Sequence, residues 1–333
     1  MERTPTGASD TMIRLSGVGK TYADGTVAVH DLDLEVGRGE LVCFVGPSGC
    51  GKSTTLKMIN RLIEPTTGTI EIDGEDVTHQ DPVRLRRGIG YVIQQVGLFP
   101  HQRIVTNVMT VPLLYGESKA TARRRAHELM ELVGLDPATY ADRYPHQLSG
   151  GQRQRVGVAR ALAANPPVLL MDEPFGAVDP VVRVRLQDEF LRLQRELDKT
   201  VVLVTHDIDE AVRMGDRVAV FATGGRLAQH GTPAEVLGRP ADDFVADFVG
   251  STRGLRRLSV TRIDPAHLEP LDGVSTGALG AVVDVDASLE EALAVLLRDD
   301  RGLVGVKDGA RFVGVLTPNG IHRALRASLA DPA

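Results

Sequence analysis

The sequence lacks the features of several large classes of protein. Tryptophan is absent, and aromatic residues make up only 4% of the 333 residues. No apolar run approaches the roughly 20 residues that an α-helix needs to cross a bilayer, and the polar segment 1–11 contains no signal-peptide core. We therefore expect no membrane-spanning segment, so that any membrane role would have to come through a partner.

Cysteine and positive net charge are also scarce. The two cysteines, Cys43 and Cys50, fall in a predicted strand and in a glycine-rich loop, so no disulfide framework is indicated and we expect a cytosolic protein. The net charge is −6, which gives no electrostatic support for general nucleic-acid binding. A hydrophobic share of 42% over this length suits a soluble globular protein of about two domains.

The most informative segment that is present is Gly46-Pro47-Ser48-Gly49-Cys50-Gly51-Lys52-Ser53-Thr54. It fits the pattern G-x-x-x-x-G-K-[ST] of a phosphate-binding loop, between an apolar strand-like run at 41–45 and a predicted helix over 55–63. Its glycines let backbone N–H groups turn towards a polyphosphate, and the helix N-terminus adds positive dipole. Lys52 is then placed to reach the β and γ phosphates, and Ser53 to ligate Mg²⁺. The alternative is a glycine-rich turn with a solvated lysine.

A second motif follows the apolar run 167–171, where Asp172 and Glu173 end a predicted strand. Beside a phosphate loop, Asp172 is expected to hold Mg²⁺ and Glu173 to take a proton from the attacking water. His206 follows the strand-like run 201–204 and could reach the γ-phosphate from the carboxyl end of that strand. The alternatives are two acids that only cap a strand and a structural histidine.

Two further residues are candidates by position. Gln94 follows the predicted strand 89–93 and could contact Mg²⁺ or the attacking water. Tyr22 could stack on a base through its aromatic face, with ordinary strand packing as the alternative.

The segment Leu148-Ser149-Gly150-Gly151-Gln152 predicts a second anion site. Ser149 is a good N-cap for the helix that follows, and Gly150 and Gly151 leave backbone N–H groups open at its start. Since each motif occurs once, the simplest arrangement is two chains head to tail, each completing the other's site. Taken alone, the triplet S-G-G is common in linkers, and a linker would be the preferred interpretation.

In this order, the motifs of residues 12–250 resemble those of the nucleotide-binding subunits of ATP-binding cassette (ABC) transporters. The resemblance implies an α/β P-loop NTPase fold with a RecA-like core, an antiparallel β-subdomain and a helical subdomain at about 95–165. It also implies a homodimer that clamps two Mg-ATP, with Walker A of one subunit facing the signature of the other. The implied roles are A-loop aromatic for Tyr22, Walker A for Gly46–Thr54, Q-loop for Gln94, signature for Leu148–Gln152, Walker B for Val168–Asp172, catalytic glutamate for Glu173, D-loop for Asp179 and switch histidine for His206.

Three segments narrow this resemblance. Residues 173–180 resemble the importer version of the family, and residues 56–66 and 93–101 resemble the importers of quaternary amines such as glycine betaine, choline and carnitine. The resemblance implies membrane permease subunits that dock near anchors such as Leu98 and Phe99, a separate solute-binding protein, and a peripheral position at the cytoplasmic face of the membrane.

Two alternatives remain for this part of the chain. One is an importer of another small solute, such as an amino acid. The other is a soluble ABC ATPase of DNA repair or translation, against which stand the single cassette, the absence of sustained heptads and the negative net charge.

Residues 251–333 are predicted to form a linker and a small α+β domain with the order β-α-β-β-α over 280–327. Ser288 is expected to start a helix with a capping box. The tail resembles a single cystathionine-β-synthase-type (CBS) module, but Gly320 stands three residues after Thr317, where that family has an acid. We expect dimerisation or ionic-strength sensing rather than adenine-nucleotide sensing. The alternatives are a structural role and a dominant regulatory module with secondary ATP hydrolysis.

Overall fold

The structure is a computed structural model that describes residues 11–93, 97–176, 178–250, 253–270, 279, 281–298 and 302–328. The strands are β1 (Thr11–Thr21), β2 (Val27–Gly37), β3 (Leu41–Val45), β4 (Thr67–Ile72), β5 (Glu75–Asp76), β6 (Ile89–Val92), β7 (Val168–Asp172), β8 (Thr200–Val204), β9 (Arg217–Ala222), β10 (Arg226–Gly231), β11 (Val282–Asp284), β12 (Val304–Asp308) and β13 (Arg311–Leu316). The helices are α1 (Lys52–Ile59), α2 (Pro82–Arg87), α3 (Ile104–Leu114), α4 (Lys119–Leu132), α5 (Pro137–Tyr140), α6 (Gly150–Leu162), α7 (Pro180–Leu197), α8 (Ile208–Met214), α9 (Pro233–Gly238), α10 (Asp243–Val249), α11 (Arg253–Val260), α12 (Leu289–Leu296) and α13 (Pro318–Ala327).

The chain divides into two compact units, Met1–His230 and Gly231–Ala333. Helices α9 and α10 precede the domain boundary that the sequence predicts after residue 250, yet they belong to the second unit; the boundary itself stays a prediction. No helix in the described part of the chain is both long and apolar enough to cross a membrane.

The centre of the first unit is a six-stranded sheet in the order β10-β9-β3-β8-β7-β6. Strands β9, β3, β8, β7 and β6 pair in parallel. All residues of β3 and β8 are buried, as expected for parallel strands that are covered on both faces. The register pairs Asp172 with Val204, so the carboxyl ends of β7 and β8 lie level with each other.

A second sheet, in the order β2-β1-β4-β5, is antiparallel and shares a core with the central sheet. Fully buried Ile13 and Ile70 belong to the same cluster as Phe44 and Phe221 of the central sheet. The rings of Phe44 and Phe221 lie 5.1 Å apart. This shared core fixes the C-terminal end of β3, and therefore the start of the loop that follows it, against both sheets.

The predicted helix over 55–63 is wrong at its C-terminus, because α1 ends at Ile59. Arg61 adopts a left-handed backbone conformation with φ 49°, and the N–H of Leu62 donates back to the carbonyl of Lys57 at 2.8 Å. This αL stop closes the last turn, so the apolar spacing of the sequence continues past the point where the backbone leaves the helix.

Helices α3, α4 and α6 pack on one another between β6 and β7 in the chain. The predicted N-cap Ser149 is confirmed: its hydroxyl accepts from the N–H of Gln152 at 3.3 Å, and the Gln152 side chain accepts from the N–H of Ser149 at 2.9 Å. This capping box fixes the direction in which α6 starts.

The second unit contains the sheet β11-β12-β13, with a parallel and an antiparallel pair, covered by α12 and α13. Its order β-α-β-β-α is the one that the sequence predicts. Ser288 caps α12 in a capping box with Glu291, as predicted.

Candidate functional site

The loop between β3 and α1 has a backbone that only glycine can adopt at two positions. Gly46 and Gly51 have φ of 151° and 95°. A Cβ would lie 2.2 Å from the Phe221 carbonyl oxygen at Gly46 and 2.2 Å from the Ala28 carbonyl oxygen at Gly51. The glycines therefore let the loop turn tightly against β9 and β2.

The loop leaves a set of hydrogen-bond donors open. Gly51 caps α1 in a left-handed conformation without a side-chain hydrogen bond. Within the described residues, the backbone N–H groups of Gly49, Gly51, Lys52 and Ser53 have no acceptor. Unpaired donors at a helix N-terminus form an anion site, which is the geometry that a polyphosphate requires.

Lys52 is buried, at 6% exposure, and its ammonium contacts backbone carbonyl groups instead of a carboxylate. Its Nζ donates to the carbonyls of Gly46 at 2.7 Å and Pro47 at 2.9 Å, and contacts Cys50 Sγ at 3.4 Å. The sequence did not predict the contact with Cys50. The solvated-lysine alternative does not fit, because this cation is held inside the loop.

Asp172 meets the loop directly. The Ser53 hydroxyl donates to Asp172 Oδ1 at 2.8 Å. Burial is the largest influence on Asp172 and raises the pKa of its carboxyl, with the Ser53 hydrogen bond and Lys57 acting in the opposite direction. A hydroxyl and a carboxylate at this distance form an oxygen pair that suits a hard divalent cation.

Glu173 and His206 lie next to each other, just beyond the carboxyl ends of β7 and β8. Glu173 has φ 45°, a left-handed conformation that is unfavourable for a residue with a side chain, and its N–H donates to the carbonyl of Val204 at 2.9 Å. Its Oε1 lies 3.3 Å from Nδ1 of His206, whose side chain is 59% exposed. The edge thus presents a carboxylate and an imidazole to solvent, beyond the ends of β7 and β8.

Tyr22 lies just after β1 and is 41% exposed. Ordinary strand packing is therefore not its environment. The Lys20 ammonium lies 5.5 Å from the centre of its ring, a neighbour that the sequence did not predict. The exposed ring suits stacking on a flat group.

The signature segment is not joined to this cluster. Ser149 is exposed, and its hydroxyl and backbone pair with Gln152 of its own helix. Among the residues described, no hydrogen bond or ion pair connects Ser149, Gly150 or Gln152 to the loop 46–54. The N–H groups of Gly150 and Gly151 likewise have no acceptor in the described part of the chain.

Two predicted site residues have a more limited description. Gln94 lies outside the described residues, so its predicted contact with Mg²⁺ or water stays a prediction. Asp179 is exposed and directly precedes α7, and its carbonyl accepts from the N–H of Arg183 at 2.8 Å.

In the second unit, Thr317 is engaged within the chain. Its hydroxyl donates to Glu269 Oε1 at 3.0 Å and accepts from the N–H of Gly320 at 3.1 Å. A Cβ at Gly320 would lie 3.2 Å from a Leu316 methyl and 3.3 Å from the His267 carbonyl oxygen. This crowding suits the glycine that replaces the acid of the resembled motif.

Comparison with known proteins gives consistent results. The sequence profile of the family described as "ABC transporter" matches residues 29–176. The chain is 51% identical over 290 residues to the glycine betaine/carnitine/choline transport ATP-binding protein of Bacillus subtilis, covering 87% of this chain and 73% of that protein. It is 54% identical over 251 residues to the osmoprotectant import ATP-binding protein of Salmonella typhimurium, covering 74% and 65%. A solved dimeric ATP-binding cassette in a post-hydrolysis state, bound to ADP and Pi, matches with a TM-score of 0.61 at 37% identity, covering 67% of this chain and 99% of that one.

Proposed function

Because the chain belongs to the ABC transporter family as an ATP-binding subunit, we propose that it hydrolyses ATP to energise the import of quaternary-amine solutes. The predicted α/β cassette fold and the ATPase class are confirmed, while the CBS resemblance of the tail stays a prediction. Glycine betaine, choline and carnitine are the proposed cargo, since relatives at about half identity carry these solutes in their names.

The observation that supports the proposal is that four side chains lie close to the loop at the carboxyl ends of β7 and β8. Ser53 pairs with Asp172, and Glu173 pairs with His206. We assign Glu173 as the base that takes a proton from the attacking water and His206 as the group that orients the γ-phosphate. Lys52 and the open N–H groups of the loop would bind the phosphate charge that develops during the reaction.

Ser53 and Asp172 would hold Mg²⁺, together with Gln94. The bound ion would neutralise phosphate charge. Within the described residues there is no cluster of three or more His, Cys, Asp or Glu side chains that could hold a metal by itself. Such a sparse set fits Mg²⁺, which takes most of its ligands from phosphate and water.

We propose a homodimer in which the signature segment of one subunit completes the loop site of the other. Two facts support it: each motif occurs once, and the open N–H groups of Gly150 and Gly151 lie apart from the loop. Tyr22 would contact the nucleotide base, and Asp179 would contact the partner subunit; both residues are exposed.

The permease subunits are proposed to dock on the loop that carries Leu98 and Phe99. Phe99 is 40% exposed, although its backbone is fixed. The fully buried Asn107 accepts from the N–H of Phe99 at 2.7 Å and donates to the carbonyls of Phe99, Gln102 and Arg103. A rigid loop with an exposed aromatic side chain is a suitable anchor for a partner. Docking there would hold the subunit at the cytoplasmic face of the membrane, with a solute-binding protein selecting the cargo.

The test is uptake and hydrolysis by the complex reconstituted in vesicles with its permease and solute-binding protein. We expect ATP hydrolysis that glycine betaine stimulates, and uptake that choline or carnitine competes with and an amino acid does not. Competition by an amino acid alone would shift the proposal to another small solute. Recovery of the chain with ribosomes or DNA, and with no membrane partner, would favour a non-transport ATPase.

We also propose that the tail, residues 251–333, senses ionic strength, and this proposal has a test of its own. Removal of residues 252–333 should leave uptake intact and abolish its dependence on osmotic conditions. Unchanged osmotic dependence would favour a structural role for the tail.

A further inference from the structure

A buried polar pair lies behind His206, and the reaction proposed above does not use it. Glu210 of α8 is 7% exposed, and Gln187 of α7 is 3% exposed. The Gln187 Nε2 donates to Glu210 Oε1 at 2.8 Å. A buried carboxylate carries a desolvation penalty that an apolar side chain of similar size would avoid, so its presence at this position calls for an explanation.

The carboxylate of Glu210 reaches the residue before His206. Thr205 is 2% exposed, and its hydroxyl lies beside the Glu210 carboxyl, where it opposes the rise in pKa that burial causes. The same hydroxyl oxygen accepts from the N–H of Asp207 at 3.0 Å, and the N–H of Thr205 donates to the carbonyl of Phe44 at 3.0 Å. The backbone N–H groups of the two residues that flank His206 are therefore both bonded, that of Thr205 to β3 and that of Asp207 to the Thr205 hydroxyl beside Glu210.

Charged groups around this pair reinforce the same segment. Asp207 caps α8 by accepting from the N–H groups of Asp209 and Glu210. Arg183 of α7 lies 3.8 Å from the Asp207 carboxylate and donates to the carbonyl of Val178. Helix α7 is thus joined to the His206 segment at two successive turns, through Arg183 and through Gln187.

We propose that Glu210 and Gln187 are positioning residues for the hydrolysis step, which hold His206 against Glu173 by fixing the Thr205–Asp207 segment to α7. The inference rests on the proposed ATPase function. The His206 side chain is 59% exposed and contacts Glu173 at 3.3 Å, so the position of its backbone decides whether the imidazole reaches that carboxylate. A rigid shell of this kind matters for a step that depends on orientation within fractions of an ångström.

Gln194 offers a matched control on the same helix. It is buried to a similar degree, at 7% exposure, and its Nε2 donates to the carbonyls of Gly39 at 2.8 Å and Lys199 at 3.0 Å. Loss of this side chain also removes buried hydrogen bonds from α7, but at a place away from His206.

The experiment measures ATP turnover of the reconstituted transporter with wild-type, Glu210→Ala, Glu210→Gln, Gln187→Met and Gln194→Ala subunits. We expect Glu210→Ala to lower kcat at least about tenfold while KM for ATP stays within about twofold, because ground-state binding lies elsewhere. Glu210→Gln keeps an acceptor for Thr205 and should retain kcat within about threefold, as should Gln194→Ala. If Glu210→Ala does not fold, Gln187→Met carries the same expectation of lowered kcat at constant KM.

The outcomes separate the two proposals. A wild-type complex without ATP turnover would overturn the proposed function. Normal wild-type turnover with Glu210→Ala, or Gln187→Met in its place, no slower than Gln194→Ala would overturn only the positioning role. A Glu210→Gln variant as slow as Glu210→Ala would also overturn it, since the charge and not the hydrogen bond would then matter.

Discussion

The chain presents two helix N-termini that suit an anion, and they are built in opposite ways. The loop region, Gly46–Thr54 with α1, is exposed at Ser48 and Gly49 but buried at both ends of the loop, has no side-chain cap and holds its lysine inside. The signature region, Leu148–Gln152 with α6, is exposed at its start and carries a complete capping box. The helix at the phosphate loop begins without a side-chain cap, which leaves its first N–H groups open to a phosphate. The helix of the signature region is stabilised by its own capping box before any partner binds.

The difference explains why catalysis is expected to need two copies. The loop region already has the sheet-edge groups beside it: Ser53 with Asp172, and Glu173 with His206. The signature region offers two open N–H groups, at Gly150 and Gly151, and the Arg153 side chain, which donates to the carbonyl of Leu148 at 2.7 Å. Each region supplies what the other lacks, so a head-to-tail pair is the arrangement that uses both.

The largest effect is expected when hydrolysis is stopped while both regions stay intact. Glu173→Gln should slow phosphate release by roughly 100-fold or more, because the amide cannot accept the proton of water. With ATP still bound, the two regions should remain joined as a dimer. Phosphate release and light scattering measure the two effects. Normal turnover in this variant would contradict the assignment of Glu173 as the base.

Removal of the loop lysine tests the loop region alone. Lys52→Ala should weaken ATP binding about 10- to 100-fold, the worth of a charge-assisted hydrogen bond to phosphate. Titration with a fluorescent ATP analogue gives the affinity. Unchanged affinity would show that the buried ammonium, bonded to Gly46 and Pro47, does not turn to the nucleotide.

The sequence predicted the loop region better than the sheet edge. Gly46 and Gly51 stand at positions where the backbone requires glycine, so the spacing of the glycines in the sequence was enough to predict the loop. The left-handed backbone of Glu173 and the hydrogen bond between Gln187 and Glu210 leave no local pattern, because the first depends on the pairing of β7 with β8 and the second on the approach of α7 to α8. The same reason explains the error at Arg61, where a backbone reversal ends α1 within an apolar helical spacing.

A substitution that keeps the cap but changes its charge tests the signature region. Ser149→Asp preserves an equally good N-cap, so the free energy of unfolding should change by less than about 0.5 kcal/mol. A carboxylate facing bound phosphate should nevertheless weaken ATP-driven pairing at least about tenfold. Pairing is measured by light scattering in the Glu173→Gln background.

The chain supplies its own control for this test. Ser118 is exposed like Ser149 and caps α4, with Oγ 3.1 Å from the N–H of Thr121, against 3.3 Å for the cap at Ser149. Ser118→Asp should leave pairing unchanged. Mixing Ser149→Asp with Lys52→Ala subunits should restore up to about a quarter of the hydrolysis, because half of the pockets in half of the dimers are then intact. Equal pairing by the two aspartate variants, or no recovery of hydrolysis on mixing, would contradict the head-to-tail dimer.

The smallest expected effect is a pH dependence of the free energy of unfolding, and it comes from Glu210 of α8, behind His206. Burial raises the pKa of Glu210 above its ordinary value of 4.5, so the folded chain holds this proton more tightly than the unfolded chain. The free energy of unfolding of the wild type, relative to Glu210→Gln, should therefore rise as the pH falls through the raised pKa and level off below 4.5. Urea unfolding of both proteins across this pH range measures the difference. Parallel curves would mean that the carboxyl titrates alike in both states, and the buried pair behind His206 would then need another description.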